Sequence, residues 1–247
     1  MNKLEKIVSV LAFGAALAGC GEKDNTLRMI TEATFPPYEF LRGQEIVGID
    51  VEICRAVAEK LGRPFKAETV DFDSVIPAVI SGKADLAAAG ITVTEDRKKN
   101  VDFSDPYVTT GILVVYKKSN PFKSVDQLKG KRIGVQSGTT SETYVLENLK
   151  QEPERSRSPA EAVAGLKNGR CDFVIADINP AKNCVKGESD LALSEPITSE
   201  DYAVAIRKGQ PELLKAINGT IAELKANGKL DKWIADYTKE SDALKDK

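Results

Sequence analysis

Not one histidine occurs among the 247 residues, and that absence removes several chemistries at once. A serine–histidine–acid triad, a cysteine–histidine pair and a histidine-ligated zinc all need an imidazole. Aromatic side chains are sparse, at 6% with a single tryptophan. Cationic excess is missing too: 35 lysines and arginines face 37 aspartates and glutamates. Without a polybasic block, nucleic acid is not an expected partner. The apolar run at the amino end, residues 7–17, is shorter than the roughly 20 residues a membrane-spanning helix needs. No motif calls for a metal or an organic cofactor, and none is expected.

What stands at the amino end is informative. Lys3 and Lys6 precede the apolar run, which closes on Leu17-Ala18-Gly19-Cys20. Positive charge, apolar stretch, small residues and a cysteine follow the order of a secretory signal ending in a lipidation site. Residues 1–19 are expected to be cleaved as a signal peptide, with Cys20 acylated and residues 20–26 serving as a polar tether. The chain would then work outside the cytoplasmic membrane, in the periplasm or at the outer face of the cell, held by its lipid. The plainer alternative is a buried N-terminal helix.

Removing residues 1–19 takes away two lysines and one glutamate, leaving 33 basic against 36 acidic side chains, a net charge of −3. About 228 residues remain, enough for one large or two modest domains. With Cys20 lipidated, Cys54, Cys171 and Cys184 are left, an odd number for an exported chain. Cys171 and Cys184 are the candidate disulfide for an oxidising compartment, the alternative being three buried thiols.

From residue 27 onward, short apolar strands alternate with amphipathic helices. Strands are expected at 27–30, 65–70, 85–88, 112–116, 131–135, 172–176 and 202–206. Helices are expected at 50–61 with Asp50 as N-cap, then at 74–81, 141–149, 159–167, 180–186, 211–227 and 230–237. Such alternation argues for an α/β fold with largely parallel sheets. Periodicity lapses near 107–111 and 198–201, where the chain passes between units. The reading is a discontinuous first lobe, 27–110 plus 202–247, and a second lobe at 111–201.

Four constellations could carry chemistry. Thr34-Phe35-Pro36-Pro37-Tyr38-Glu39-Phe40 follows the first strand; its prolines stiffen a loop that presents aromatic rings, or that merely packs them inward. Gly90-Ile91-Thr92-Val93-Thr94-Glu95-Asp96-Arg97 follows a buried strand, where ligands of open α/β sheets sit. It combines close backbone access at Gly90, a hydroxyl at Thr92 and the two-pronged cation of Arg97. Gln136-Ser137-Gly138-Thr139-Thr140-Ser141-Glu142 opens a helix with the Thr139/Glu142 pattern of a capping box. A helix start behind a glycine favours an anion; lacking the glycine-lysine pair, this one suits a carboxylate rather than a polyphosphate. Asp177 follows another buried strand, where it could hold a cation. With Phe35 and Phe72 as flanking rings, the charges match a free zwitterion.

These stretches, together with Val47-Gly48-Ile49-Asp50-Val51, Val101-Asp102-Phe103-Ser104-Asp105-Pro106-Tyr107, Leu128-Lys129-Gly130-Lys131-Arg132-Ile133-Gly134-Val135 and Asn227-Gly228, resemble the extracytoplasmic solute-binding proteins for polar amino acids. The likeness runs from about residue 27 to 237. It implies a type II periplasmic-binding-protein fold: two α/β lobes on a two-strand hinge, closing over one amino acid, with no catalysis. By resemblance, Arg97 clamps the ligand carboxylate with the backbone around Thr92 and Thr139, and Thr140 and Gln136 belong to the same site. Asp177, the Gly90 carbonyl and the Thr92 hydroxyl hold the ammonium, and Phe35 and Phe72 sandwich the side chain. Glu32 falls where relatives carry an acid facing that side chain, in binders of basic amino acids and in some glutamine binders; arginine is favoured. The implied partners are a free L-amino acid, the membrane permease of an ABC transporter and the membrane itself through the lipid, with the protein a monomer. The alternatives are a cyclohexadienyl dehydratase-like enzyme on this fold and a ligand-sensing receptor module.

Overall fold

The computed structural model describes residues 24–243. The expected signal peptide and the acylated Cys20 lie outside those residues. The first strand, β1 (Leu27–Thr31), leads into a small antiparallel meander of β2 (Thr34–Phe35), β3 (Glu39–Arg42) and β4 (Glu45–Val47). Then follow α1 (Ile49–Lys60), β5 (Phe65–Thr69), α2 (Val75–Ile80), β6 (Leu86–Ala87), the one-turn α3 (Glu95–Lys98), β7 (Val101–Phe103) and β8 (Val108–Thr110). The second half begins with β9 (Ile112–Lys117), β10 (Ile133–Gln136), α4 (Thr140–Asn148), β11 (Glu154–Ser156) and α5 (Pro159–Lys167). It continues through β12 (Phe173–Asp177), α6 (Ile178–Val185), β13 (Leu191–Leu193) and β14 (Glu200–Tyr202). The chain finishes with β15 (Ala205–Arg207), α7 (Pro211–Ala226) and α8 (Lys229–Ala243).

These strands form two five-stranded sheets, ordered β5-β1-β6-β15-β7 and β11-β10-β12-β9-β13. The first draws on both flanks of the chain, the second on the continuous stretch between them. Each is covered on both faces by apolar side chains, so each lobe carries two core clusters. In the first lobe Val51, Cys54, Val57 and Ile217 fill one side, and Val75, Val79, Ile91 and Ala205 the other. In the second, Val163, Leu166 and Val174 oppose Ile133, Val145 and Phe173.

The sheets are mixed rather than largely parallel. In each, a single strand runs against the rest: β15 is antiparallel to β6 and β7, and β9 to β12 and β13. Both strands enter from the other lobe. The parallel strands end at the cleft between lobes, so a strand arriving through the hinge starts there and must run away from it. The hinge itself is the antiparallel pair of β8 and β14, with Thr110 opposite Glu200 and Val108 opposite Tyr202. The strand expected at 202–206 is therefore two short strands in different sheets, split where the chain leaves the hinge.

Two further expectations change. Asp50 is not the N-cap of α1; Gly48 is, at φ 131°, and a Cβ there would lie 2.1 Å from the Tyr38 carbonyl oxygen. Only glycine tolerates that approach. Cys171 is a free thiol, so the expected bridge to Cys184 is absent. Its Sγ turns into the second lobe, 3.8 Å from the Ala162 carbonyl under α5, while Cys184 lies near the end of α6. Both pack in one apolar cluster, which satisfies a thiol as a small apolar group.

Candidate functional site

The cleft is built from loops that leave the carboxyl ends of strands. Phe35, Phe72, Gly90, Thr92 and Arg97 from one lobe meet Gln136, Thr139, Thr140 and Asp177 from the other around a small, nearly filled space. Nine of the ten expected ligand-binding residues thus share one pocket. The tenth, Glu32, sits just behind: its Oε2 accepts from Gln136 Nε2 at 3.2 Å and its Oε1 from the Thr34 hydroxyl at 2.5 Å. Burial pushes the Glu32 carboxyl above its ordinary range, against the pull of those two hydrogen bonds. A larger groove of about 660 Å³ lies between the end of α1 and α7, but no oppositely charged pair from two lobes converges on it.

Arg97 is placed by a short local device. The Thr94 hydroxyl accepts from the Arg97 amide at 3.2 Å and caps α3, the arrangement that starts a helix turn. The guanidinium then lies 5.5 Å above the Phe72 ring, a favourable cation–π geometry. It donates to the Thr92 carbonyl at 2.8 Å and, across the cleft, to the Gly138 carbonyl at 2.9 Å.

Asp177 closes the opposite side. It ends β12 as the N-cap of α6, and its carboxylate accepts from the Tyr202 hydroxyl, a residue of the hinge. Burial is the main reason its pKa rises to about 7; Glu200 nearby adds to the rise, while Tyr202 and Arg97 oppose it. Tyr202 is itself fixed in an aromatic trio with Phe35 and Tyr38, the Tyr38 ring edge-on at 5.2 Å. Such ring pairs contribute about 0.5–1.5 kcal/mol beyond their buried area.

Gly90 shows why its residue type is demanded. Its φ is +54° and a Cβ would stand 2.6 Å from the Phe35 ring. Its amide donates to Asp50 Oδ2 at 2.8 Å, so the side chain once expected to cap α1 pins the ligand-facing loop instead. Asp50 and its neighbour Glu39 are both buried. Burial lifts Asp50 to about 6, and burial with the Asp50 charge holds Glu39 well above the usual carboxylate range. Replacing Gly90 with alanine is expected to cost about 1–3 kcal/mol through strain and overlap, lowering the melting temperature by roughly 2–12 °C. An unchanged melting curve would contradict this account of the loop.

The capping box at α4 forms with one change. Thr139 Oγ1 accepts from the Glu142 amide at 3.4 Å, but the Glu142 carboxylate reaches back to the Gly138 amide, at 2.7 Å, rather than to that of Thr139. The positive end of the α4 dipole therefore opens onto the cleft.

Several residues of the site were not anticipated. Tyr202 bonds Asp177, Asn179 donates to the Tyr38 hydroxyl at 3.0 Å, and Asn183 donates to the Pro36 carbonyl at 2.8 Å. Glu200 accepts from the Thr92 hydroxyl at 2.7 Å, the group expected to face a ligand ammonium. None of the four carries a motif in the chain.

Comparison with known proteins gives a consistent picture. The family model for bacterial extracellular solute-binding proteins, family 3, matches residues 27–240. The arginine-binding extracellular protein ArtP of Bacillus subtilis is 35% identical over 91% of this chain and 90% of its own. The L-cystine-binding protein TcyJ of Escherichia coli is 34% identical over 87% of this chain and 85% of its own. Among solved structures, an ancestral arginine-binding protein bound to arginine superposes with a TM-score of 0.80 at 42% identity, covering 86% of this chain and 98% of that one.

Proposed function

The chain belongs to the bacterial extracellular solute-binding proteins, family 3, and we propose that it binds a free basic L-amino acid, arginine first, for an ABC uptake transporter. One observation carries the reading: a guanidinium on one lobe and a carboxylate on the other face a single small cleft, from opposite sides. A zwitterion satisfies both charges at once.

In this reading the ligand carboxylate takes the Arg97 fork and the positive end of α4 near Thr139 and Thr140. The ammonium is held by Asp177, the Gly90 carbonyl and the Thr92 oxygen. Phe35 and Phe72 flank the side chain, whose far end points to Gln136 and Glu32. A cationic end group suits that place, because Glu32 is buried among neutral partners. Each charged hydrogen bond contributes about 1.5–3 kcal/mol. Contact with both lobes biases them towards closure, and the closed form is what a permease would engage. The lobes are 27–110 with 202–247, and 111–201. The protein acts outside the cytoplasmic membrane as a monomer, anchored by a lipid at Cys20 once residues 1–19 are removed.

A thermal-shift screen against the twenty amino acids, ornithine, citrulline and cystine tests this. A native-state ligand at a thousand times its Kd stabilises by about 4 kcal/mol, a shift of roughly 8 °C or more at this size. Arginine, lysine or ornithine should give the largest shift. A shift with cystine or glutamine alone would overturn the basic side chain while leaving the zwitterion site in place.

A further inference from the structure

Glu200 occupies the hinge, on β14 opposite Thr110, and has no part in the ligand contacts described above. Its side chain collects three hydroxyls. One oxygen, Oε2, accepts from Thr92 at 2.7 Å and from Thr140 at 2.9 Å; the other accepts from Thr198 at 3.2 Å. Thr92 belongs to the loop that precedes α3 in the first lobe, Thr140 is the first residue of α4 in the second, and Thr198 sits in the crossing segment.

We propose that Glu200 is a hinge-borne latch, a positioning residue whose carboxylate joins Thr92 of one lobe to Thr140 of the other and thereby holds the closed cleft together. A single carboxylate oxygen has two lone pairs and can take two hydroxyl protons at once. It can do so only while the two threonines stand side by side, and they are carried on bodies that a hinge motion separates. Because the acceptor rides on the pivot, opening breaks at least one arm of the contact without moving the carboxylate far.

The latch has a second effect. A hydroxyl owns one proton, and at Thr92 that proton is committed to Glu200. The oxygen is left with lone pairs only, so it meets a ligand as an acceptor. That polarity suits an ammonium and disfavours an anionic or carbonyl group at the same place. This part rests on the amino-acid reading of the cleft; the latch itself does not.

Stopped-flow kinetics of arginine binding and small-angle X-ray scattering of the ligand-free protein test the proposal together, on wild type, Glu200→Gln, Thr140→Val and the double variant. Glu200→Gln keeps the shape but removes the charge and leaves one acceptor oxygen of two, which weakens the hydroxyl contacts. It should raise the dissociation rate at least tenfold, with the association rate changed less than threefold and the melting temperature kept within about 3 °C. Thr140→Val should act in the same direction, and the double variant should lose less than the sum of the two, because Glu200→Gln already weakens the arm that Thr140→Val removes. The ligand-free radius of gyration should rise in Glu200→Gln. An unchanged dissociation rate, additive effects in the double variant, or a loss confined to the association rate would overturn the latch. If wild type binds no arginine, the functional reading fails, and the scattering comparison decides the latch alone: an unchanged radius of gyration overturns it.

Discussion

Replacing Arg97 with alanine will weaken amino-acid binding by about two orders of magnitude or more and leave the fold intact. The expectation follows from two charge-assisted hydrogen bonds at about 1.5–3 kcal/mol each, lost together. Arg97 stands on a single helical turn, with its backbone held by the Thr94 cap rather than by its own side chain, so its removal opens no core cavity. The bonds it makes to the Thr92 and Gly138 carbonyls keep the fork aimed at the place where a carboxylate would arrive. Arg97→Lys preserves the charge but not the two-pronged geometry, and should still cost tenfold. Calorimetric titration with arginine reads both values. Wild-type affinity in Arg97→Ala, with a normal melting curve, would remove this residue from the site.

The second large effect is on pH dependence, and its seat is Asp177. With a pKa of about 7, the carboxyl is half protonated near neutrality, whereas an ammonium needs it ionised. The groups facing it are Tyr202 and Glu200 from the hinge and Arg97 from the opposite lobe. Binding should therefore release up to one proton, and affinity should fall by up to tenfold for each pH unit below 7. Titrations at pH 6.5 in phosphate and in imidazole should differ in apparent enthalpy in proportion to the difference between the buffers' ionisation heats. Asp177→Asn should abolish that difference and weaken binding at pH 8 at least tenfold. Equal enthalpies in both buffers for wild type would refute the assignment.

Stability of the ligand-free protein follows the same residue with a definite sign. A raised carboxyl pKa means that the native state holds a proton the unfolded chain releases near pH 4. The contribution is fully present below about pH 4 and is lost as pH rises through about 7. Asp50, lifted to about 6, acts in the same direction over a narrower window. Denaturant titrations from pH 4 to 8 should show falling stability, and Asp177→Asn should flatten the fall.

Most of the cleft could be read from the chain because most of its loops follow buried strands and carry their own local patterns. The Gly90 to Arg97 stretch and the Thr139 cap are continuous segments, so spacing alone announced them. Glu200 was invisible for the opposite reason: it stands in a stretch without periodicity, and its partners at 92, 140 and 198 converge only through the hinge. Asp50 misled because an aspartate before an apolar helix usually caps it. The close approach of Gly48 to Tyr38 moves the helix start forward and turns Asp50 inward. Glu39 was hidden likewise, since a charged residue within an aromatic loop reads as exposed. Strand direction failed at β9 and β15, because apolar content carries no sign of which way a strand runs.

The hinge layout has a consequence for how such a molecule can be altered. The chain departs along Val108–Thr110 and returns along Glu200–Tyr202 on neighbouring antiparallel strands, so the intervening piece is joined to the remainder at one narrow gate. It amounts to a cassette: a stretch of gene encoding it could be exchanged for a relative's without re-routing any other connection. Hybrids made this way would keep the Arg97 half of the cleft and import a different Asp177 half, offering a direct route to new solute preferences.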